Sequence, residues 1–253
     1  KNPEFPMCHS AEASFGSAAL LMVAGGWCLR TTAKRAPWLW PIAVVPFLFG
    51  VQQMLEGFVW VGLHQQNTTL TLAAAGMYLF FAVAFWPFWF SLAAFLLETD
   101  PRRRKFLGLF ALLSTGWFFA CYVPLFRDFA APSIHEVGHS IRYDYADSGG
   151  IWNHFAKVWV IRSCYLLTTL MPLMIMSARK LFMLPAALAS VTAAAAALYF
   201  DHAFTSVWCL WGALTSLSVM RIVSLVPACA PGIEQTSFPL PRIQALTPAN
   251  YLS

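Results

Sequence analysis

Residues 70–97 read LTLAAAGMYLFFAVAFWPFWFSLAAFLL, without a single charged side chain. The run ends at Glu98, and basic residues occupy positions 102–105 just beyond it. An α-helix rises about 1.5 Å per residue, so about 20 apolar residues cross the ~30 Å hydrocarbon core of a bilayer. Residues 70–97 therefore predict a transmembrane helix. The basic cluster predicts that its C-terminal end faces the cytoplasm, because basic loops stay on that side of a membrane.

The composition of the whole chain is typical of a membrane protein. Of its 253 residues, 59% are hydrophobic and only 11% are charged, whereas soluble domains carry about 25% charged residues. The formal charge of +5 does not indicate a nucleic-acid partner, because most Lys and Arg residues lie between apolar runs, where they set topology. The six cysteines lack paired spacing and do not indicate a disulfide framework.

Further apolar runs predict an all-α bundle of seven transmembrane helices in one domain, 7–226. The predicted spans are about 14–29, 38–63, 70–97, 106–126, 154–176, 181–200 and 203–226. Residues 127–153 form the only long loop, and the proline-rich tail, 227–253, predicts an extended segment with a possible cytoplasmic partner. We expect residues 1–6, which precede Met7, to be a remnant foreign to the natural protein. The first span is not expected to be a cleavable signal peptide, because six spans follow it.

The charge of the connecting segments alternates along the chain. Basic residues follow spans one, three and five: Arg30, Lys34, Arg35, residues 102–105, Arg179 and Lys180. The segments after spans two, four and six carry almost no excess positive charge. The positive-inside rule then predicts an N-terminus outside and a C-terminus inside. The sequence thus predicts a multi-pass protein of the cell's inner membrane whose first partner is the lipid bilayer.

Polar residues in the second span suggest a functional site in the outer half of the bundle. Gln52, Glu56 and Trp60 are four residues apart and line one helix face, with Gln53 beside them. Glu56 lies about 10 Å below the end of the span, a depth at which a carboxyl group usually faces a bundle interior or a wet cavity. Arg162 in span five lies at a similar depth and needs a partner. We predict a Glu56–Arg162 ion pair or shared hydrogen-bond network with a catalytic role, and a pair that only fixes helix packing is the alternative.

All the histidines fall on the predicted outer side, which indicates that this side is the working face. They are His9, His64, His135, His139, His154 and His202. His135 and His139 have the H-x-x-x-H spacing, which on a helix would point both imidazoles one way, although Gly138 weakens such a helix. The following residues, 141–145, alternate like a short strand and include Tyr143 as a candidate ligand contact. Candidate ligands for a transition metal, zinc above all, are therefore Cys8, His135, His139 and His202. The alternative is that the loop around His135 and His139 is solvated or forms a lid.

Two stretches carry a resemblance to a known family. Residues 7–15 read MCHSAEASF and residues 49–57 read FGVQQMLEG, while residues 138–143 and 206–209 add to the likeness. On these motifs the chain resembles a family of uncharacterised bacterial membrane proteins that open with Met-Cys-Phe-Ser-Ala and carry Gln-Gln-x-x-Glu-Gly. The resemblance implies that Met7 is the natural start and supplies no activity. His9 stands where the family has Phe, which counts against His9 as a ligand.

These observations favour an outward-facing polar site that binds a metal or a small polar ligand. One version is a metal-dependent hydrolase of lipid-like substrates, with Glu56 as general base. The alternatives are a non-enzymatic receptor, sensor or transporter that uses the same cavity, and a structural subunit of a larger membrane complex. A retinal protein of the rhodopsin type is excluded, because the last span has no lysine for a Schiff base. There is also no Walker motif and no G-x-G-x-x-G.

Overall fold

The computed structural model of the protein describes residues 10–127, 133–137, 140–144, 158–177 and 207–225, and these residues are mostly helical. In chain order the helices are α1 (Ala11–Arg35), a 3₁₀ turn (Pro37–Leu39), α2 (Trp40–Ala43), α3 (Val45–His64), α4 (Thr68–Leu79), a π segment (Phe80–Phe85), α5 (Trp86–Leu97), α6 (Pro101–Arg127), α7 (Val158–Ile175) and α8 (Val207–Leu225). A two-stranded antiparallel hairpin, β1 (Ser133–Val137) and β2 (Ser140–Asp144), lies between α6 and α7.

Among the described residues, three helical runs are long and apolar enough to cross a membrane, and they suggest a membrane protein. They are Ala11–Arg35, Pro37–His64 and Thr68–Leu97, and they contain the first three predicted spans. Shorter apolar helices run over Ser163–Ile175 and Leu214–Leu225, within predicted spans five and seven. Helix α6 covers predicted span four, and the sixth, 181–200, lies outside the described residues. The expectation of an all-α chain needs correction in one place, the hairpin.

Helices α1 and α3 pack with their backbones in contact. The buried face of α1 is a stripe of mostly small side chains: Ser14, Ala18, Leu21, Gly25, Cys28 and Thr32. A Cβ added to Gly25 would lie 2.6 Å from the Cα of Phe47, and one added to Gly50 would lie 2.9 Å from the backbone nitrogen of Met22. Stripes of small residues let helices approach this closely, which gives dispersion contacts where no hydrophobic force acts between helices in lipid.

Two prolines inside predicted spans each free one backbone carbonyl. Each of these carbonyls accepts a hydrogen bond from a side chain on another helix. Proline at position i cannot donate to the carbonyl of residue i−4 and also displaces it. Pro87 frees the carbonyl of Val83, which lies in the π segment and accepts the indole N–H of Trp117 at 3.2 Å. Pro172 lies within α7 and frees the carbonyl of Thr168. That carbonyl accepts the Ser91 hydroxyl at 3.1 Å.

The hairpin replaces the helix that the H-x-x-x-H spacing would need. Its register pairs His135 with Arg142 and Ile134 with Tyr143. The strand pattern predicted for residues 141–145 is confirmed over Ser140–Asp144. Ile141 is 1% exposed and packs in a cluster with Val59 and Trp60 of α3. The hairpin therefore covers the C-terminal end of α3, which we call the hairpin end of the bundle.

The opposite end, where α1 finishes and α6 begins, carries a buried carboxylate that joins two helices; we call it the basic end. Glu98 is 0% exposed. Its Oε1 accepts the N–H groups of Thr99 and Asp100 at 2.7 and 2.8 Å and the Ser177 hydroxyl at 2.6 Å. Its Oε2 accepts the Ser177 N–H at 2.7 Å. Glu98 thus ties the start of α6 to the end of α7.

Asp100 caps α6 at the same end. The N–H groups of Arg103 and Arg102 each donate to its Oδ1 at 2.9 Å and hold the pKa of this carboxyl below its ordinary value. Such a cap satisfies backbone donors that have no partner in the first turn of a helix. Both acids of this segment are therefore used by backbone N–H groups.

Adjacent glycines of α1 give a matched test of the close approach to α3. Gly25→Ala must push the added methyl group into the backbone of Phe47, so we expect a loss of about 1–3 kcal/mol of stability. Gly26 has nothing within 4 Å of an added Cβ, so Gly26→Ala should be neutral or raise stability by up to about 1 kcal/mol through helix propensity. Thermal unfolding in detergent measures both, and equal effects of the two substitutions would contradict the packing described.

The link that Glu98 makes between α6 and α7 is tested by removing the carboxylate and, separately, one of its hydrogen-bond donors. Glu98→Ala removes every one of these charge-assisted hydrogen bonds and leaves the Ser177 groups unpaired, so we expect a loss of about 3–5 kcal/mol. Ser177→Ala removes only the hydroxyl and should lose about 1–2 kcal/mol. Thermal unfolding in detergent is again the measurement. A Glu98→Ala protein as stable as Ser177→Ala would show that the carboxylate does not hold the two helices together.

Candidate functional site

The predicted polar stripe of the second span lies on α3, and the bundle buries all of it. Gln52 is 0% exposed, and Gln53, Glu56 and Trp60 are each 1% exposed. Glu56 lies eight residues before His64, the last residue of α3, or about 12 Å along the helix axis. A carboxyl group and two amides held at this depth are costly and rarely occur without a role.

Gln52 accepts a hydrogen bond from an indole on helix α5. Trp86 of α5 donates its Nε1–H to the Oε1 of Gln52 at 2.7 Å. Because an indole nitrogen can only donate, this bond fixes which side of the amide is oxygen. The Nε2 group of Gln52 then points elsewhere. It is buried and has no hydrogen-bond partner among the described residues.

Stacked aromatic rings close the stripe toward the basic end. Phe49 precedes Gln52 by about one turn and stacks on Trp86, with ring centroids 3.9 Å apart and planes at 19°. Phe90 also stacks on Trp86, with ring centroids 5.4 Å apart. All three rings are 1% exposed or less. The polar stripe is therefore bounded by aromatic rings at the end that faces the basic end of the bundle.

The hairpin covers the other end of the stripe. Trp60 packs with Ile141 of β2, and Tyr143 touches the same cluster. Tyr143 also stacks on Tyr78 of α4, with centroids 5.4 Å apart and planes at 14°. The Nε1–H of Trp60 is buried and has no hydrogen-bond partner among the described residues. The structure thus brings the predicted ligand contacts Trp60 and Tyr143 into one cluster.

A third unpaired polar atom comes from α1. Ser14 is 0% exposed, and its hydroxyl finds no partner within the described parts of the chain. Its neighbour Phe15 lies against Gly57 of α3, at 2.8 Å from a Cβ added there. Ser14 is therefore level with Glu56. The alternation of buried residues on α1 could have pointed to it, since Ser14 begins the small-residue stripe.

The predicted partner of Glu56 lies on a helix that reaches the same level. Arg162 is in α7, three residues before Tyr165, and its side chain is outside the described set. The Tyr165 hydroxyl donates to the carbonyl of Ala82 at 2.8 Å. Ala82 packs with Leu55, the residue before Glu56. Helices α3 and α7 therefore meet the π segment at one level, and the Glu56–Arg162 contact stays a prediction.

The predicted metal ligands are not assembled in the described part of the protein. His135 is exposed on β1, opposite Arg142, while Cys8, His139 and His202 lie outside the described residues. Within the described ranges no group of three His, Cys, Asp or Glu side chains could hold a metal ion. His64 Nε2 lies 3.8 Å from Glu136 Oε2, with the side chains 58% and 45% exposed, so this contact contributes little stability.

A comparison with protein families gives one match. The model of a family of unknown function (DUF6629) matches residues 7–232. This match covers every described residue and confirms the resemblance to an uncharacterised family. No curated protein and no solved structure matches the chain.

A double-mutant cycle tests the predicted Glu56–Arg162 contact. Breaking a buried ion pair leaves one charge without compensation, so Glu56→Gln and Arg162→Gln should each lower stability by about 3–5 kcal/mol. The double variant should lose less than either single variant, because no charge is then left buried. Thermal unfolding in detergent measures all three.

The exposed residues Glu136 and Arg35 supply the matched control, since the same substitutions there should change stability by less than about 0.5 kcal/mol. Additive losses in the Glu56/Arg162 cycle would show that the two side chains do not interact.

Proposed function

We propose that this chain, which belongs to the family of unknown function DUF6629, is a multi-pass membrane protein that binds a small uncharged polar ligand. The family has no assigned activity from which a function could be inferred. In this proposal seven helices cross the inner membrane, with the N-terminus outside and the C-terminus inside. The ligand binds at Gln52, Glu56 and Trp60 in the outer half of the bundle, beneath the hairpin. The protein acts as a receptor or sensor of that ligand.

The topology is supported by the distribution of charge and of apolar surface. Exposed basic residues gather at the basic end, including Arg30, Lys34 and Arg35. The middle of the helices instead exposes large apolar side chains, such as Leu20 at 75% and Leu112 at 68%. An apolar belt with basic residues at one end fits a bilayer whose cytoplasmic side meets the basic end. The hairpin end then faces outward.

The ligand site is carried by one observation: two buried N–H donors without partners flank Glu56. Gln52 and Trp60 are each four residues from Glu56, so their donors span about 12 Å along α3. An N–H group can be satisfied only by an acceptor, and leaving it buried and unpaired costs about 1–3 kcal/mol. A bound molecule that supplies acceptor oxygens to both donors would recover this cost.

Glu56 limits the charge of that molecule. Arg162, its predicted partner, would balance the charge of Glu56, so the site suits a molecule without net charge whose hydroxyl group donates to the carboxylate. Hydroxyl groups both donate and accept, so one polyhydroxylated molecule can pair with Glu56 and with the two N–H groups. An uncharged polyol or sugar is the chemical class that suits this set of side chains best.

The surroundings of the stripe favour binding over transport. A transporter needs a polar path toward the other side of the membrane, but the stacked rings of Phe49 and Trp86 lie directly below Gln52. Deeper in the bundle, Ser216 donates its hydroxyl to the carbonyl of Gly212 in its own helix at 2.6 Å, and Ser91 donates to the carbonyl that Pro172 frees. The ligand would therefore enter and leave on the hairpin side.

A metal-dependent form of the site is a narrower version of this proposal. It would add zinc, held by Cys8, His139 and His202 with or without His135, and Glu56 would act as the base in hydrolysis of a lipid-like substrate. The described residues alone do not supply a zinc-binding set. This version therefore depends on residues other than those that carry the polyol site.

The proposal is tested by ligand-induced stabilisation. Thermal unfolding in detergent is recorded with glucose, with myo-inositol, with glycine and with Zn²⁺ alone. A polyol that binds the native state should raise Tm by about 5–10 °C at a hundred times its Kd. Trp60→Phe should abolish this shift, because the N–H group that pairs with the ligand is removed. The smaller ring leaves a cavity, so the Tm of this variant without ligand should also fall.

Trp27→Phe, at a position 42% exposed, is the matched control and should retain the full shift. A shift with Zn²⁺ alone that Cys8→Ala/His139→Ala removes would support the metal-dependent version instead. If neither polyol shifts Tm, the polyol site is refuted and the stripe serves only to pack the helices.

A further inference from the structure

Helix α1 has a second stripe, on the face turned away from the bundle. Its residues recur at intervals of three and four, and all are exposed: Leu20, Val23, Trp27, Arg30 and Lys34. This spacing places them on one helix face. The small residues of the opposite face pack against α3, so this stripe forms part of the outer surface of the protein.

The order of residues in this stripe follows the depth profile of one bilayer leaflet. Leu20 and Val23 are each 75% exposed and suit hydrocarbon. Trp27 lies about 6 Å further along the helix axis. This is the level of the lipid carbonyls, where tryptophan is enriched in membrane proteins. Arg30 and Lys34 follow within about 10 Å of Trp27, at the level of the phosphates.

The two cations of the stripe have no acid beside them in the part of the chain that the structure describes. Like charges four residues apart destabilise a helix, and the described residues show no ion pair to either side chain. The described acids at this end are Glu98 and Asp100, and backbone N–H groups occupy both. An anion from outside the chain would relieve the repulsion between Arg30 and Lys34.

We propose that Arg30 and Lys34 bind the phosphate of an anionic phospholipid from the leaflet at the basic end. The apolar residues and Trp27 on the same stripe contact the acyl chains and the ester region of that lipid, which a soluble anion would leave uncovered. This inference uses the membrane placement proposed above and is independent of the polyol site.

Helix α6 supports this assignment with the same arrangement. One face of α6 carries the exposed residues Arg102 and Lys105 at the basic end, followed by Phe106, Leu109 and Leu112. They again run from basic to aromatic to aliphatic toward the middle of the helix, although α6 runs in the opposite direction to α1. Two separate helices thus show the profile of the same leaflet.

Lipid competition monitored by native mass spectrometry tests the proposal. The full chain in detergent is offered phosphatidylglycerol and phosphatidylcholine with identical acyl chains, and the apparent affinity of each is measured. Each basic residue near an anionic membrane surface contributes about a fivefold gain in affinity. Arg30→Gln/Lys34→Gln should therefore weaken phosphatidylglycerol binding about 25-fold and weaken phosphatidylcholine binding much less, because the choline group offsets the charge of that phosphate.

The swap Arg30→Lys/Lys34→Arg keeps both charges and is the matched control, so it should retain the preference for phosphatidylglycerol. Raising the salt concentration should weaken phosphatidylglycerol binding to the wild type more than to the neutral variant. A neutral variant that keeps the preference, or displacement of the lipid by millimolar inorganic phosphate, would overturn the proposal.

Reconstitution separates this inference from the membrane topology. Protein that enters nanodiscs but shows no lipid preference refutes the lipid site alone. Protein that stays soluble without detergent and does not enter nanodiscs refutes both the membrane placement and the lipid site.

Discussion

The close approach of α1 to α3 determines where the polar residues point. Gly25 and Gly50 bring the two backbones together, and a side chain at either position would collide with the partner helix. With that face of α3 fixed against α1, the face that carries Gln52, Glu56 and Trp60 turns toward α4, α5 and the hairpin. A rotation of α3 would expose Glu56 to lipid, so the packing of small residues at one face protects the polar site on the next.

Hydrogen-bond pairing within the bundle separates structural polar groups from candidate functional ones. The carbonyls freed by Pro87 and Pro172 both find side-chain donors, and the Glu98 carboxylate accepts from Thr99, Asp100 and Ser177. In an apolar environment such pairing is expected. The hydroxyls of Ser14, Thr32 and Thr215 are also buried without a partner among the described residues. The unpaired atoms of Gln52 and Trp60 differ from these because they lie on the same helix face as the Glu56 carboxyl group.

The sequence predicted features that depend on one segment and missed those that depend on two. Charge-free runs predicted the apolar helices, and the four-residue spacing predicted the buried stripe of α3. The Trp86–Gln52 bond joins residues 34 positions apart, so no local pattern could reveal it. Glu98 looked like a loop residue beside a basic cluster, yet tertiary contacts bury it. The H-x-x-x-H spacing suggested a helix, but residues Ser133–Val137 and Ser140–Asp144 pair as antiparallel strands instead.

The two ends of the bundle therefore have different physical characters. At the basic end, the hydrogen bonds of Glu98 join the segment just before α6 to Ser177 at the end of α7, and ligand exchange there would break several charge-assisted bonds at once. At the hairpin end, the cover consists of ring stacking and apolar contacts from Ile141 and Tyr143, which can separate without leaving a charge unpaired. Movement is thus cheaper at the hairpin end, and this is the end at which the unpaired donors of α3 could receive a ligand.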